Sequence, residues 1–128
     1  MIEIKSCETS ATLTFTLRSL SESESRFWAK ISGTPFTGEV IASTYHNGPP
    51  SALFDDMAAC WTGWQGQKIW ESIDGELSLK ATTTSLGSVT LAVKMSVDYG
   101  DCTVTALLKL EAGSLERIAD NIRALFAT

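Results

Sequence analysis

The chain has 128 residues and a formal net charge of −5, long enough to bury roughly two-thirds of its unfolded surface around one core, so one domain over 1–128 is expected. With 44% hydrophobic and 20% charged residues it has the make-up of a globular protein, and no apolar run approaches the ~20 residues that span a bilayer. Three widely spaced cysteines (Cys7, Cys60, Cys102) argue against a disulfide framework, and Met1–Ser6 lacks the basic start and apolar core of a signal peptide, so the expected compartment is the cytoplasm.

Taken in chain order, a weak strand signal at 2–6 precedes a clean alternation over 11–18, with Ala11, Leu13, Phe15 and Leu17 on one side and Thr12, Thr14, Thr16 and Arg18 on the other. Ser19–Ser25 reads as a hairpin loop. The period of two returns at 26–32 (Phe27, Ala29, Ile31) and less cleanly at 36–44. Asn47-Gly48-Pro49-Pro50 signals a helix start. Leu53, Phe54, Met57, Ala58, Trp61 and Trp64 then follow a helical period toward a core. Strands follow at 76–83, 88–97 and 102–110, with turns at Leu86-Gly87 and Tyr99-Gly100-Asp101. A second helix starts near Gly113-Ser114, with Leu115, Ile118, Ala119, Ile122, Leu125 and Phe126 on its apolar face.

Each strand has one apolar side, and two amphipathic helices need a surface to cover. The pattern predicts an α+β fold: a single antiparallel sheet of about six or seven strands with two helices packed on one face, in the order β-β-β-(β)-α-β-β-β-α. A closed barrel plugged by a helix is the competing arrangement. Between the first helix and the next strand, Trp61-Thr-Gly63-Trp64-Gln-Gly66-Gln-Lys-Ile-Trp70-Glu71-Ser72 places three of the four tryptophans in ten residues. Indoles bury large apolar areas while their N–H finds a partner, and glycines permit positive φ, so the segment reads as a packed structural junction.

Charge is uneven. Residues 51–76 hold Asp55, Asp56, Glu71, Asp74 and Glu76 against Lys68 alone, a net of −4, whereas 1–50 carry −1 and 77–128 carry zero. Acids near a helix start suit the helix dipole, but the same group could be a patch awaiting a basic protein partner. On the wet side of the strands, Arg18, Arg26, Lys30, Lys80, Lys94 and Lys109 point outward, opposed only by Glu39 and Glu76, and Trp28, Ile41 and Leu107 share that side. Lysines there deter strand-to-strand aggregation; alternatively the side is a recognition face anchored by Trp28. RNA binding is disfavoured, because one aromatic is available for stacking and the chain is acidic.

The catalytic inventory is thin. His46 is the only histidine, in the turn before the first helix beside Tyr45, and no nucleophile-elbow pattern accompanies it. Asp55 and Asp56 are adjacent and diverge around a helix, and Glu71, Asp74 and Glu76 match no calcium loop. No metal and no cofactor are expected. Cys60, within an apolar helix pattern, is expected to be a buried small hydrophobe that resists thiol reagents.

The pattern Trp61-x-Gly63-Trp64-x-Gly66-x-x-x-Trp70-Glu71-Ser72, followed by Gly75-Glu76-Leu77-x-Leu79-x-Ala81 and Leu86-Gly87-x-Val89-x-Leu91, resembles a family of small bacterial proteins of unknown function, over nearly the whole chain from about residue 11. That resemblance brings no catalytic residues with it. In size and style its members are similar to immunity proteins of bacterial toxin systems, an analogy of type.

Two functions remain open. The favoured one is a non-enzymatic protein-binding module, an immunity-type inhibitor or accessory protein, meeting a basic toxin domain through Asp55, Asp56, Glu71, Asp74 and Glu76 or through Trp28. The alternative is a small-molecule-binding or enzymatic domain with a pocket between sheet and helices near His46, Tyr45 and the tryptophans. Oligomeric state is not readable; Leu125 and Phe126 could seal the core or meet a second copy.

Overall fold

The structure, a computed structural model, describes residues 1–84 and 87–127. Among these, eight strands form two antiparallel four-stranded sheets, accompanied by two α-helices. The first sheet is the meander β1 (Ile2–Lys5), β2 (Thr12–Ser19), β3 (Arg26–Ser32) and β4 (Gly38–Ser43); α1 (Ser51–Ala59) leads to the second, β5 (Lys68–Glu71), β6 (Leu77–Thr83), β7 (Ser88–Val97) and β8 (Cys102–Glu111); α2 (Leu115–Leu125) closes the chain. The expected class and helix count hold. A single sheet of six or seven strands does not.

The reason is physical. Alternation states that a strand has one apolar face but not which sheet it joins, and the segment from Thr44 to Gln67 separates β4 from β5. The two sheets turn their apolar faces inward: Leu13, Phe15, Phe27, Ala29 and Ile31 from the first, Leu79, Ala81, Leu91, Val93 and Leu108 from the second, all buried. They touch directly where β4 meets β7, and there a Cβ on Gly38 would lie 3.3 Å from Met95 Sδ. The helices pack against each other, α1 also on β5 and α2 also on β1, so they join the two sheets instead of lying together on one. Their buried apolar residues are Leu53, Phe54 and Met57 on α1 and Leu115, Ile118, Ala119 and Ile122 on α2.

Phe27 ties these layers together. Its ring meets Phe15 edge-on at 5.3 Å, Phe126 of the α2 end edge-on at 5.1 Å, and Trp70 of β5 at 6.2 Å. Polar stitches close the two seams between the sheets. At one, Cys7 N–H donates to Lys109 O at 2.8 Å and Lys109 N–H to Ser6 Oγ at 3.0 Å; at the other, Asn47 Nδ2 donates to Glu71 O at 2.8 Å and Trp70 Nε1 to Gly48 O at 3.1 Å.

The tryptophan junction differs from the expectation. The helix ends at Ala59 with Cys60 as its cap, so neither Trp61 nor Trp64 lies on it. Gly63 (φ 120°) and Gly66 (φ 75°) carry the chain through conformations closed to the helix. Trp61 is 62% exposed, Trp64 half-buried and Trp70 buried; only Trp70 is a core residue in the sense expected of all three. Lys68–Glu71, read as the tail of that junction, is a strand of its own, too short for alternation to reveal. Cys60 is half-buried, with its Sγ facing Asp56 Oδ1 at 3.9 Å, and so is not the fully buried thiol expected. Of the expected Leu86-Gly87 turn, Leu86 lies outside the described residues.

Candidate functional site

The five acids of the 51–76 region separate into two groups. Asp55 and Asp56 are the fifth and sixth residues of α1, outside its first turn, where the helix dipole was expected to hold them. Each is instead in an ion pair. Asp55 accepts from Arg123 of α2 at 2.5 Å, with Asp120 bonded to the same guanidinium at 3.0 Å, and hydrogen bonding to Asp55 foremost raises the Arg123 pKa. Asp56 accepts from Lys68 Nζ at 2.9 Å, and that ammonium also lies 5.3 Å from the Trp64 ring centroid. The hydrogen bond to Asp56, against partial desolvation, raises the Lys68 pKa above its ordinary 10.5. The α1 acids therefore spend much of their field on the protein itself.

Glu71, Asp74 and Glu76 come together. The β5–β6 turn, whose tightest point is Gly75 at φ 78°, brings all three to one cleft of ≈ 770 Å³ on the outer side of the second sheet. Pairing explains the floor: Glu71 of β5 faces Ser78 of β6, which faces Lys94 of β7, while Lys80 lies two residues along on the same side. The far wall is the β7–β8 turn, where Asp98 (φ 54°) and Tyr99 (φ 57°) take consecutive left-handed conformations and Tyr99 stands wholly in solvent. Ser72 Oγ donates to Glu76 Oε2 at 3.0 Å and its own oxygen accepts from Leu77 N–H, which braces the turn. Among the described residues, no ion pair engages Glu71, Asp74 or Glu76.

A second groove of ≈ 360 Å³ flanks the same turn and is shared by Asp74, Glu76 and Ile73 with Glu24, Arg26, Ile41 and Tyr45 of the first sheet's β4 side. Ile41 is the cross-strand partner of Trp28. Trp28 itself is half-buried on the outer face of the first sheet, between Thr16 and Ile41, so it neighbours the acidic turn without lining either hollow.

The outward cations do not share one face, as expected of a single sheet. Arg26 and Lys30 lie on the outer side of the first sheet, Arg18 falls in the irregularity between Leu17 and Ser19, and Lys80, Lys94 and Lys109 lie on the outer side of the second, as does Leu107. What the sequence pattern missed is that Lys80, Lys94, Asp98 and Tyr99 face the acidic turn. Charge runs marked its two ends, but the row Glu71–Ser78–Lys94 exists only once the registers of three strands are set.

Chemically the cleft offers four carboxylates, two ammonium groups and an exposed phenol on an open surface. Among the described residues, no group of three or more His, Cys, Asp or Glu is placed to hold a metal ion. His46 sits exposed in a left-handed turn (φ 66°). Two residues on, Gly48 O accepts from the Trp70 indole N–H, and the Trp64 indole N–H donates likewise to Ala81 O at 3.2 Å.

The chain matches, over residues 4–128, a family described as a family of unknown function, DUF6228. No curated protein and no solved structure matches it.

Proposed function

This chain belongs to the DUF6228 family, and since that family's function is unknown we propose one from the geometry: a non-enzymatic protein-binding module that docks a basic partner through the acidic β5–β6 turn. The observation that carries the reading is the convergence on one open cleft of Glu71, Asp74 and Glu76, none of which is in an ion pair among the described residues. Tyr99, Ile73 and Tyr45 stand exposed around them at 110%, 43% and 56%, the mixture of aromatic anchors and charge that protein interfaces use. In its narrowest form the partner is the basic domain of a bacterial toxin and this chain its immunity-type inhibitor. Asp55 and Asp56 contribute less than Glu71, Asp74 and Glu76, because Arg123 and Lys68 already offset them.

The alternative, a small molecule held between sheets and helices near His46, has less support, because Phe15, Phe27, Phe54, Met57 and Trp70 are packed in the buried core and His46 lies exposed in its turn.

The test is association kinetics with the partner recovered by affinity capture. Reversing Glu71 and Asp74 to lysine, with Glu76 kept to accept from Ser72, is expected to leave the unfolding midpoint near that of the wild type and slow association by roughly tenfold at low salt, an effect that shrinks as salt rises. Reversing Asp55 and Asp56 is expected to lower stability but to change association less. Association indifferent to salt, or abolished by Trp28→Ala with the acids intact, would move the interface to the first sheet. Recovery of a bound metabolite and no protein partner would defeat the reading.

A further inference from the structure

The four strands at the borders of the two sheets are not equally protected against pairing with another chain. β1 and β5 have four residues each, and β4 carries Glu39. β8 is ten residues long, and from Cys102 to Leu108 it has no charged residue and no proline. Natural edges are kept from joining other sheets by shortness, charge or proline. This one lacks all three along more than half its length.

Its backbone direction follows from the seam. Lys109 uses both its N–H and its C=O away from β7, toward Ser6 and Cys7. Backbone groups in an antiparallel strand alternate sides, so Thr103, Thr105 and Leu107 also direct theirs away from β7. The β7 side agrees: Ser96 N–H goes to Glu76 O on the β6 side, leaving the odd-numbered residues of β7 to bond the even-numbered residues of β8. The segment that covers β8 stops at Ser6 and Cys7. Beyond it, the six outward groups of Thr103, Thr105 and Leu107 have no partner among the described residues. An apolar hollow of ≈ 340 Å³ runs beside this stretch, lined by Val104, Ala106 and Leu107 and across from them by Ala11, Ile31 and Phe36, the last 75% exposed.

We propose that a second copy of this chain occupies this edge, β8 pairing antiparallel with β8 about a two-fold axis at Thr105. The register is self-consistent. Thr105 faces its own mate, Thr103 faces Leu107, and Val104 faces Ala106, so in the joined sheet Val104 and Ala106 of both copies share the inner face and Thr103, Thr105 and Leu107 the outer one. A two-fold interface requires such self-complementarity. Charge agrees with it. Asp101 of one copy comes level with Lys109 of the other, twice, and nothing charged lies between. Asp101 has already left the strand line (φ −69°, ψ −27°), so each mate strand ends where the Ser6–Cys7 cover of the other begins.

Sedimentation over a concentration series, joined to amide hydrogen exchange, tests this. The expected result is a monomer–dimer equilibrium in which the Thr103, Thr105 and Leu107 amides pass from fast to slow exchange as concentration rises. Added salt should change it little, since screening weakens both the repulsion between two copies of charge −5 and the two Asp101–Lys109 pairs. Thr105→Pro removes a donor the monomer does not use and should raise the dimer dissociation constant about tenfold or more. Leu107→Lys, at a position 53% exposed, should do the same and stands in if the proline variant fails to fold. A monomer at every concentration, a dimer whose three amides still exchange fast, or a dimer indifferent to the variant that folds would each overturn the proposal.

Discussion

At the residue scale, the three tryptophans of one short segment have three different environments, and their stabilities should rank accordingly. Trp70→Ala removes a ring packed on Phe27 and a donor to Gly48 O, a large-to-small core change expected to lose about 3–5 kcal/mol. Trp64→Ala loses a half-buried ring, its bond to Ala81 O and its contact with Lys68, about 2–3 kcal/mol. Trp61→Ala, at a ring mostly in water, should change stability by less than about 0.5 kcal/mol. Urea unfolding of the three variants gives the order directly; a Trp61 variant as unstable as the Trp70 variant would contradict it. The Lys68 ammonium has a signature of its own. Its pKa is raised in the folded state, chiefly by its hydrogen bond to Asp56, so its contribution is fully present below 10.5 and is lost as pH climbs through the raised value. The stability gap between wild type and Lys68→Met should therefore stay constant from neutral pH to about that point, then close. A gap that persisted at higher pH would show that the methylene stem, not the charge, does the stabilising.

At the element scale, the connections matter as much as the strands. The β3–β4 turn meets the segment between β1 and β2 at Gly33, where φ is +77° and an added Cβ would stand 1.9 Å from Ser10 O. Ser10 Oγ donates to the Gly33 carbonyl at the same place. Gly33→Ala must therefore both strain the backbone and displace a main-chain carbonyl. The expected loss is about 2 kcal/mol or more, and the same substitution at Gly87, where φ is similar and nothing lies within 4 Å, should lose less. Equal losses at the two glycines would mean that the β1–β2 segment yields freely. The α1–α2 contact is less sensitive. The Asp55–Arg123 pair is well exposed on both sides, and exposed pairs contribute little, so the helices are held mainly by Leu53, Phe54, Met57, Ile118 and Ile122.

At the scale of the whole molecule, the surfaces proposed at the acidic turn and at the open β8 edge differ in their dependence on ionic strength. The proposed docking of a basic partner at Glu71, Asp74 and Glu76 would rely on a long-range field that salt screens. The proposed pairing of two copies along Thr103–Leu107 would rely on main-chain hydrogen bonds, with repulsion between like-charged copies set against two Asp101–Lys109 pairs, so salt should change it little. Measuring both associations across one salt series separates the two surfaces without any mutation. The closed core is compatible with both, since neither surface needs an opening between the sheets.

Much of the local structure was legible in the residues. Period-two patterns located β2, β3, β6, β7 and β8 to within a residue or two, and Pro49-Pro50 and Gly113-Ser114 marked the starts of α1 and α2, because these signals are properties of neighbours along the chain. The net charge of −4 at 51–76 was legible as well, since charge is additive. Three things needed the tertiary structure. The division into two sheets depends on which strands pair, and alternation is the same for either partner. β5 has only four residues, below the length at which a period shows. The division of the acids into Asp55 and Asp56, bound to Arg123 and Lys68, and Glu71, Asp74 and Glu76, without an ion pair among the described residues, depends on contacts such as that across 68 residues of chain between Asp55 and Arg123. A sequence states which side chains exist and their local spacing; which of them meet is decided by long-range packing.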